Sequence, residues 1–551
     1  MKENNTFTGH IMDIFNRKII DGTISVENGK IKSITPSSNA IDKDAPYFLP
    51  GFIDSHVHIE SSMMLPTGFA RLAVCHGTTG LIADPHEIAN VLGMKGVDFM
   101  IKSSEQACCH FAFGLPSCVP SCSPDFETSG ATIDSKTTAE ILKRKDIHFL
   151  GEMMNYPGVL NNDPEVMAKI EAAKKNGKPI DGHAPGLNEE DIKKYAQAGI
   201  TTNHEDYLYD NAASGIENGI MIQILEGSAE KNFDNLVKLI GKYPDMLMFC
   251  TDDSHPSDLI KGHIDKMVRK AISLGYDIWN ILQIACINPV IHYNQPWGML
   301  REGDPADFIC ISDLSPEFKV CQTYISGKMV YSDQEGITNY DEDKKADKYP
   351  NVFVANKISV DDIKSDLHEG DTINVIRAFD GSLFTEKESL TIVSEPKAEN
   401  PYQEYNIQKI VVLNRYTPNA KPQIGYISGF NIKDGALGES IAHDCHNIVA
   451  IGTSDELLCK VINNIIDMKG GIAVATNNST SELPLPIAGI MSPLDGNEIA
   501  KSYTDLSNTI KNMGCSFNSP FITLAFMCLP VIPKLKLTDK GLMDVEQFKL
   551  I

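Results

Sequence analysis

Two patterns of hydrophobic and polar residues, one typical of β-strands and one of βα units, divide the chain into regions. Residues 1–50 hold short β-like pieces around turns, such as GTISVENGKIKSITP, where Glu27–Lys30 is predicted to form a hairpin turn. From Leu49 to about Pro289, short apolar runs alternate with amphipathic stretches of helical length, the pattern of repeated βα units. Eight strands are predicted, ending near Ile53–His58, Gly80–Asp84, His110–Gly114, Ile147–Glu152, Pro179–His183, Ile200–His204, Ile220–Leu225 and Leu247–Asp252.

Eight such units predict an α/β fold class, a (β/α)8 TIM-like barrel over residues 51–289 with its active site at the strands' C-terminal ends. After Pro289 the β texture returns in GDPADFICISD and KVCQTYISGKMVYSD. We expect these pieces to complete a small β-sandwich begun at the N-terminus, so that the barrel is inserted in a composite domain of residues 1–50 and 290–345. The polar stretch SDQEGITNYDEDKKADKYP then predicts a linker, and residues 350–551 a C-terminal α/β domain.

Composition and charge narrow the class of partner. The formal net charge of −24 over 551 residues argues against a nucleic-acid-binding surface, which needs basic residues, and leaves small uncharged substrates open. No apolar run reaches the length of a membrane span, and the N-terminus MKENNTFTGH has no signal-peptide pattern. The thirteen cysteines include no C-x2-C pair and are interpreted as reduced thiols. We therefore expect a cytoplasmic protein with no membrane or nucleic-acid partner.

The strongest local signal is PGFIDSHVHIE, in which His56 and His58 lie two residues apart. On a strand both side chains point to the same side, and at the end of a barrel strand that side can be the mouth. Two imidazoles placed there can share a metal ion. An H-x-H pair taken alone is more often an ordinary surface pair, so the interpretation depends on further ligands.

Four more candidate ligands fall at the predicted ends of other strands. Each has a structural explanation of its own, as a helix cap or a buried core histidine, but six together at strand ends favour a metal centre. The four are Glu152, His183, His204 and Asp252. Nitrogen and oxygen donors without thiolate suit zinc, manganese or iron, and the ligand count suggests two ions.

Glu152 and Asp252 would have particular roles in such a centre. The two oxygens of Glu152 can bridge a pair of ions, and metal binding lowers the pKa of water enough to supply hydroxide at neutral pH. Asp252 could bind a metal and also take the proton from the attacking water. Asp253 stands beside it and would point the opposite way if the strand continues, so Asp252 is favoured as the ligand.

These segments resemble a known family. PGFIDSHVHIE resembles the first-strand signature of the amidohydrolase superfamily, and GDPADFICI followed by ISGKMVY resembles its usual ending. More narrowly, the segment HVHIESSMMLPTGFARLAVCHGTTGLIADPHEIANVLG is similar to the adenine deaminase family, as are GEMMNYPGV, DGHAPGL and CTDDSHPSDL. The C-terminal segments SIAHDCHNIVAIGTSDEL and MKGGIAVA resemble that family's additional domain, so the resemblance runs from about residue 5 to 540.

The resemblance implies a hydrolase that converts adenine to hypoxanthine and ammonia in purine salvage. It implies a binuclear centre of Mn(II) or Fe(II), with zinc as a further possibility. The implied metal ligands are His56, His58, His183, His204 and Asp252, with Glu152 bridging because no lysine occupies the fourth-strand position. Cys445 in AHDCHN stands where the resemblance leads us to expect serine.

Deamination also needs an acid that protonates the ring nitrogen beside the attacked carbon. DPHEIAN offers His86 and Glu87 just after the second strand, although the same residues form an ordinary helix N-terminus capped by Asp84. Asp253 and His443 are further candidates for binding the substrate. His443 lies in a polar segment with Asp444 and His446, which is either an active-site lid or an ordinary turn before a strand.

Three other functions share features with this sequence. Another amidohydrolase, acting on a cyclic amide or another purine, would share the metal centre, since specificity resides in loops. A catalytically silent metal-binding barrel is a second alternative. The cytidine-deaminase type is rejected, because His58 and Glu60 match its H-x-E element but its P-C-x-x-C partner is absent. For quaternary structure we expect a homo-oligomer, a dimer or larger.

Overall fold

The structure is a computed structural model that describes residues 4–338, 348–365, 367–394 and 403–551. Its contacts divide the chain into two compact units. The first contains Met1–Pro85, Phe99–Ser117 and Asp134–Lys344, and the second contains His86–Asp98, Cys118–Ile133 and Lys345–Ile551. Part of the linker predicted for residues 332–350, residues 339–347, lies outside the described residues. The predicted domain boundaries stay predictions.

Seventeen strands and most of the short helices belong to residues 4–338. The strands are β1 (Asn4–Asp13), β2 (Lys18–Glu27), β3 (Lys30–Pro36), β4 (Tyr47–Pro50), β5 (Phe52–His58), β6 (Thr78–Ala83), β7 (His110–Leu115), β8 (Phe149–Met153), β9 (Ile180–Gly182), β10 (Thr202–Asn203), β11 (Met221–Leu225), β12 (Leu247–Cys250), β13 (Asp252–Asp253), β14 (Phe308–Ile311), β15 (Val320–Ile325), β16 (Lys328–Ser332) and β17 (Gly336–Ile337). The helices are α1 (Pro66–Cys75), α2 (His86–Leu92), α3 (Met94–Ser104), α4 (Ser135–Ile141), α5 (Tyr156–Leu160), α6 (Pro164–Lys175), α7 (Glu189–Ala198), α8 (Tyr209–Glu217), α9 (Phe233–Leu236), α10 (Pro256–Leu259), α11 (Ile264–Ser273), α12 (Ile278–Leu282) and α13 (Asn288–His292).

Strands from both ends of the first unit form one eight-stranded sheet, in the order β17-β16-β15-β14-β4-β1-β2-β3. The predicted hairpin is confirmed: Glu27 pairs with Lys30, and Asn28 and Gly29 both adopt the positive φ that a tight hairpin turn needs. β4 connects the two halves, because it pairs with β1 on one side and with β14 on the other. The apolar core of this sheet consists of Ile11, Ile24, Val26, Ile31, Phe48, Leu300, Ala306, Phe308, Cys310 and Tyr324.

The eight predicted barrel strands are confirmed as β5 to β12, and every pairing between them is parallel. Between β9 and β10 the ring continues through the Thr201 amide, which donates to the Ile180 carbonyl at 2.8 Å. The two-residue strand β13 follows β12 and pairs with β5, aligning Asp252 with Val57 and Asp253 with His58. The ring of strands therefore places the residues that follow each strand at one common rim.

The second unit is built mainly on antiparallel strands. Its strands are β18 (Thr372–Arg377), β19 (Glu386–Thr391), β20 (Gln408–Leu413), β21 (Gln423–Ser428), β22 (Ala436–Glu439), β23 (Ile448–Gly452), β24 (Gly471–Ala475), β25 (Thr480–Pro484), β26 (Leu535–Thr538), β27 (Gly541–Asp544) and β28 (Lys549–Leu550). Its remaining helices are α14 (Val360–Ile363), α15 (Asp455–Met468), α16 (Gly496–Asn512) and α17 (Pro520–Ala525). Across the described residues of both units, none of the helices has the length and hydrophobicity needed to cross a membrane.

Helix α15 supplies much of the second unit's core. It begins at the N-cap Ser454, whose hydroxyl accepts a hydrogen bond from the Leu457 amide, and two acidic residues occupy its first turn. Its apolar face packs against the sheet of order β19-β18-β21-β20-β23-β22-β24-β25. Strand β22 runs directly into the segment Ser440–Asn447, which carries the AHDCHN residues.

The close packing of the barrel predicts a test on glycine. A Cβ at Gly80 in β6 would lie 2.5 Å from the Trp297 ring, so Gly80→Ala should destabilise the protein by about 1–3 kcal/mol. At Gly68 in α1 the nearest atom is 3.4 Å away, so Gly68→Ala should be neutral or stabilising by up to about 1 kcal/mol. Thermal melting of the two variants beside the wild type checks this, and equal melting temperatures for the two would contradict it.

Candidate metal centre

The C-terminal ends of the barrel strands bring all six predicted ligands into one cluster. His56 and His58 lie on β5, Glu152 on β8 and Asp252 on β13. His183 and His204 follow directly after β9 and β10. All six side chains are buried except that of His183, which is half-buried. The alternation of side chains along β5 gives both of its histidines the same direction, as the spacing predicted.

Glu152 lies at the centre of this cluster, with imidazoles around both of its oxygens. Its Oε1 is 3.4 Å from His58 Nε2. Its Oε2 is 2.9 Å from His183 Nδ1, 3.3 Å from His204 Nε2 and 3.8 Å from His56 Nε2. One carboxylate therefore touches or approaches four imidazoles, which is the placement that a bridging ligand requires.

The neighbouring residues Asp252 and Asp253 have different partners in the structure. Asp252 Oδ1 lies 2.9 Å from His58 Nε2 and 3.6 Å from His56 Nε2, so this carboxylate belongs to the cluster. The Asp253 carboxylate instead accepts a hydrogen bond from the Ser61 hydroxyl. The left-handed backbone of Asp252, with φ of 53°, is a conformation that a non-glycine residue adopts at a cost of about 1 kcal/mol.

Several buried nitrogens of the cluster fit a cation. The ring nitrogens of His56 and of His204 make no hydrogen bond, although both side chains are completely buried. Buried polar atoms without a partner are costly, and a metal ion would satisfy them. Three groups of donor atoms in the cluster each lie within 4.8 Å of one another: His56, His58 and Asp252; His56, Glu152 and His204; and His183, His204 and Glu205.

The charges of the cluster stabilise one another. Burial opposes ionisation, yet the charge of His183 and contacts from His204 and His58 hold the pKa of Glu152 well below its usual range. At Asp252, burial also opposes ionisation, but the hydrogen bond and charge of His58 outweigh it. The pKa of the Asp252 carboxyl is therefore lowered as well. Despite burial, the carboxylates raise the pKa of His204 to about 9. Divalent cations would take the place of the protons that these imidazoles carry.

Contacts behind the ligands fix their orientation. His58 Nδ1 lies 2.9 Å from the Asp84 carbonyl oxygen, which leaves Nε2 facing the cluster. The Asp84 carboxylate accepts a hydrogen bond of 2.7 Å from the Glu152 amide. Residue 151 is a glycine for the same reason, since a Cβ there would lie 2.2 Å from Asp84 Oδ2. The sequence alone predicts Asp84 only as a helix cap.

A second aspartate that the sequence analysis does not single out is Asp181, which is fully buried on strand β9. The Asp181 carboxylate accepts hydrogen bonds from the Tyr293 hydroxyl at 2.9 and 3.0 Å and from the Thr202 hydroxyl at 3.0 Å. Its Oδ2 is 4.0 Å from His56 Nδ1. Burial raises the pKa of Asp181 to about 8.

Glu205 is the third acidic residue that sequence reasoning missed. Its Oε1 lies 3.6 Å from His204 Nε2 and 3.8 Å from His183 Nδ1, and its side chain is buried. The Tyr207 hydroxyl lies 3.1 Å from Glu205 Oε2 and 2.8 Å from Glu230 Oε2. The signal was present, because Glu205 directly follows a predicted ligand in TTNHED.

The other predicted site residues lie in the second unit, where they form a buried cluster of their own. Asp444 Oδ1 lies 3.8 Å from His86 Nε2 and 3.4 Å from His443 Nδ1. His446 Nε2 is 3.8 Å from Glu87 Oε2. Although burial opposes ionisation, the two histidines beside Asp444 hold the pKa of that carboxyl well below its usual range. The catalytic and substrate-binding roles of His86, Glu87 and His443 stay predictions.

Two family models match this chain, and curated relatives cover nearly its whole length. The model of the Amidohydrolase family matches residues 47–330, and that of the Adenine deaminase C-terminal domain matches residues 382–549. The chain is 47% identical over 560 residues to an adenine deaminase of Methanosarcina barkeri, covering 99% of this chain and 98% of that protein. It is 44% identical over 544 residues to one of Borreliella burgdorferi, covering 98% and 97%. A beta-aspartyl dipeptidase of Fervidobacterium islandicum AW-1 matches with a TM-score of 0.46 and 14% identity, over 62% of this chain and 100% of that one.

The raised pKa values predict how metal binding depends on pH. The carboxylates favour protonated forms of His58, His183 and His204 in the metal-free protein, and binding must release those protons. The affinity for Mn(II) should therefore rise at least about tenfold per pH unit between pH 6.5 and 8. Competition titrations with a chelator of known affinity measure this. An affinity independent of pH would contradict it.

Proposed function

The chain belongs to the adenine deaminase family of amidohydrolases, and we propose that the cluster around Glu152 performs its reaction. That reaction is the hydrolytic deamination of adenine to hypoxanthine and ammonia. The observation that carries the proposal is the central position of the Glu152 carboxylate among four imidazoles and beside Asp252, at the C-terminal rim of the barrel.

The donor set supports a binuclear centre of Mn(II) or Fe(II), with zinc compatible with the same ligands. His56, His58 and Asp252 would hold one ion, and His183 and His204 the other, with Glu152 between them. Such ions lower the pKa of water and so supply hydroxide at neutral pH.

Asp252 is the proposed base. Its ionised carboxylate, stabilised by His58, can accept the proton of the attacking water and pass it to the departing amino group, which leaves as ammonia. Water gives its oxygen to the ring carbon, and the carbon–nitrogen bond to the amino group breaks. Adenine and water are thus converted into hypoxanthine and ammonia with no other reactant.

The ring nitrogen beside that carbon must be protonated while the carbon is tetrahedral. His86 and Glu87 are the proposed acids, and Asp253 and His443 the proposed substrate contacts. The support for His86 is its position beside Asp444, whose Oδ1 lies 3.8 Å from His86 Nε2. Glu87 is fully buried beside His446.

We also propose that the protein acts in the cytoplasm and as a homo-oligomer. All thirteen cysteines are free, ten of them buried, and thiols persist in reducing compartments. A symmetric dimer or larger assembly is the common arrangement of such enzymes.

Ammonia release from adenine tests the proposed reaction. Wild-type protein reconstituted with Mn(II), or with Fe(II) under anaerobic conditions, should release ammonia, and Glu152→Gln should abolish turnover because the central charge is lost. Glu226→Gln is the matched control, since Glu226 follows strand β11 but pairs with Lys270 outside the cluster. Its rate should stay within about twofold of wild type. No ammonia from wild type with either metal would refute the adenine assignment.

Paired substitutions distinguish the two neighbouring aspartates. Asp252→Asn should lower kcat by roughly 10²–10⁴-fold, the usual contribution of a general base. Asp253→Asn should act mainly on KM, as expected for a residue that binds substrate equally in ground and transition states. Steady-state kinetics at saturating metal provide both constants. The reverse pattern would transfer the base to Asp253.

A further inference from the structure

In addition to the six predicted ligands, the acidic side chain of Glu205 lies beside His183 and His204. We propose that Glu205 is a direct ligand of the second metal ion, the one assigned to His183 and His204. The proposal rests on the binuclear centre proposed above. It gives the cluster two sets of four donor atoms that share Glu152.

The distances within the two sets are closely matched. In the first, His58 Nε2 is 2.9 Å from Asp252 Oδ1 and 3.4 Å from Glu152 Oε1. His56 Nε2 is 3.6 Å from Asp252 Oδ1 and 3.8 Å from Glu152 Oε2, the oxygen that also faces the second set. This set already has two imidazoles, a terminal carboxylate and the shared one. Asp252 is therefore the terminal carboxylate of the first set.

Glu205 occupies the equivalent place in the second set. There, Glu152 Oε2 is 2.9 Å from His183 Nδ1 and 3.3 Å from His204 Nε2. Glu205 Oε1 is 3.8 and 3.6 Å from the same two nitrogens. A tetrahedral ion with bonds of about 2.0–2.2 Å keeps its donor atoms about 3.3–3.6 Å apart, and both sets lie around that spacing.

Glu205 is not explained as a hydrogen-bond acceptor for these imidazoles. Distances of 3.6 and 3.8 Å exceed those of a nitrogen–oxygen hydrogen bond. The Tyr207 hydroxyl lies 3.1 Å from Oε2, the other carboxylate oxygen, and Oε1 faces the two histidines. One oxygen of Glu205 is thus held from outside and the other is presented to the cluster.

Charge balance supports the same assignment. Two divalent cations bring four positive charges into a cluster of buried side chains. Glu152, Asp252 and the attacking hydroxide supply three negative charges, which leaves one positive charge buried without compensation. Uncompensated buried charge is costly, and the Glu205 carboxylate would neutralise it.

Counting bound metal in variants tests the proposal. Metal-free wild type, Glu205→Gln and Asp206→Asn are titrated with Mn(II), and free Mn(II) is measured by electron paramagnetic resonance. Asp206 is the matched control, because it is the next residue and is equally buried. Its carboxylate accepts a hydrogen bond from the side-chain amide of Asn203 instead of facing the cluster. Wild type and control should bind two ions. Glu205→Gln should bind the second ion more than 100-fold more weakly, beyond the roughly 10–100-fold cost of losing an outer contact.

Two controls keep the outcome interpretable. Circular dichroism of each metal-free variant confirms folding, and Glu205→Asp, which keeps the carboxylate, should bind the second ion more tightly than Glu205→Gln. If Glu205→Gln weakens the second ion by 100-fold or less, Glu205 is not a ligand, while the deaminase proposal stands. If wild type binds a single ion, the binuclear centre and the Glu205 assignment both fail.

Discussion

A buried carboxylate among imidazoles is the interaction on which the rest of the site depends. Glu152 is almost fully enclosed, and an ion in that position is tolerated only if opposite charge or hydrogen-bond donors surround it. The barrel meets this requirement because parallel strands end at one rim, so that β5, β9 and β10 direct histidines at the oxygens of β8. The same enclosure makes metal ions the natural partners of those histidines, two of which have nitrogens with no hydrogen bond.

The strands and the six ligands could be predicted because their signals are local. Apolar runs at βα spacing fix the eight strands, and a strand's last residues must then lie at the rim, which brings His56 and Asp252 near each other although 196 positions separate them in sequence. The roles of Asp84 and Asp181 could not be predicted, because both depend on contacts between segments that are distant in sequence. Nothing in the sequence shows that Asp84 binds the Glu152 amide or that Tyr293 reaches Asp181.

The division of the chain into two units depends on packing between distant segments, so it is harder to predict from the sequence than the strands are. His86–Asp98 and Cys118–Ile133 carry the βα texture of the barrel region, yet their contacts group them with Lys345–Ile551. Hydrogen bonds account for part of this grouping, since Asp539 accepts from the Thr128 amide and hydroxyl, and Asn447 donates to the Thr128 carbonyl. Periodicity reports which face of an element is buried, but not which element covers it.

The ligand set explains hydrolysis better than it explains the choice of adenine. Four imidazoles and two or three carboxylates around metal ions would equally serve an amidohydrolase that opens a cyclic amide, since both reactions begin with hydroxide attacking an sp2 carbon. They differ in which nitrogen receives a proton and which leaves. Selectivity for adenine therefore depends on groups that hold or move protons, which the ligand set alone does not specify.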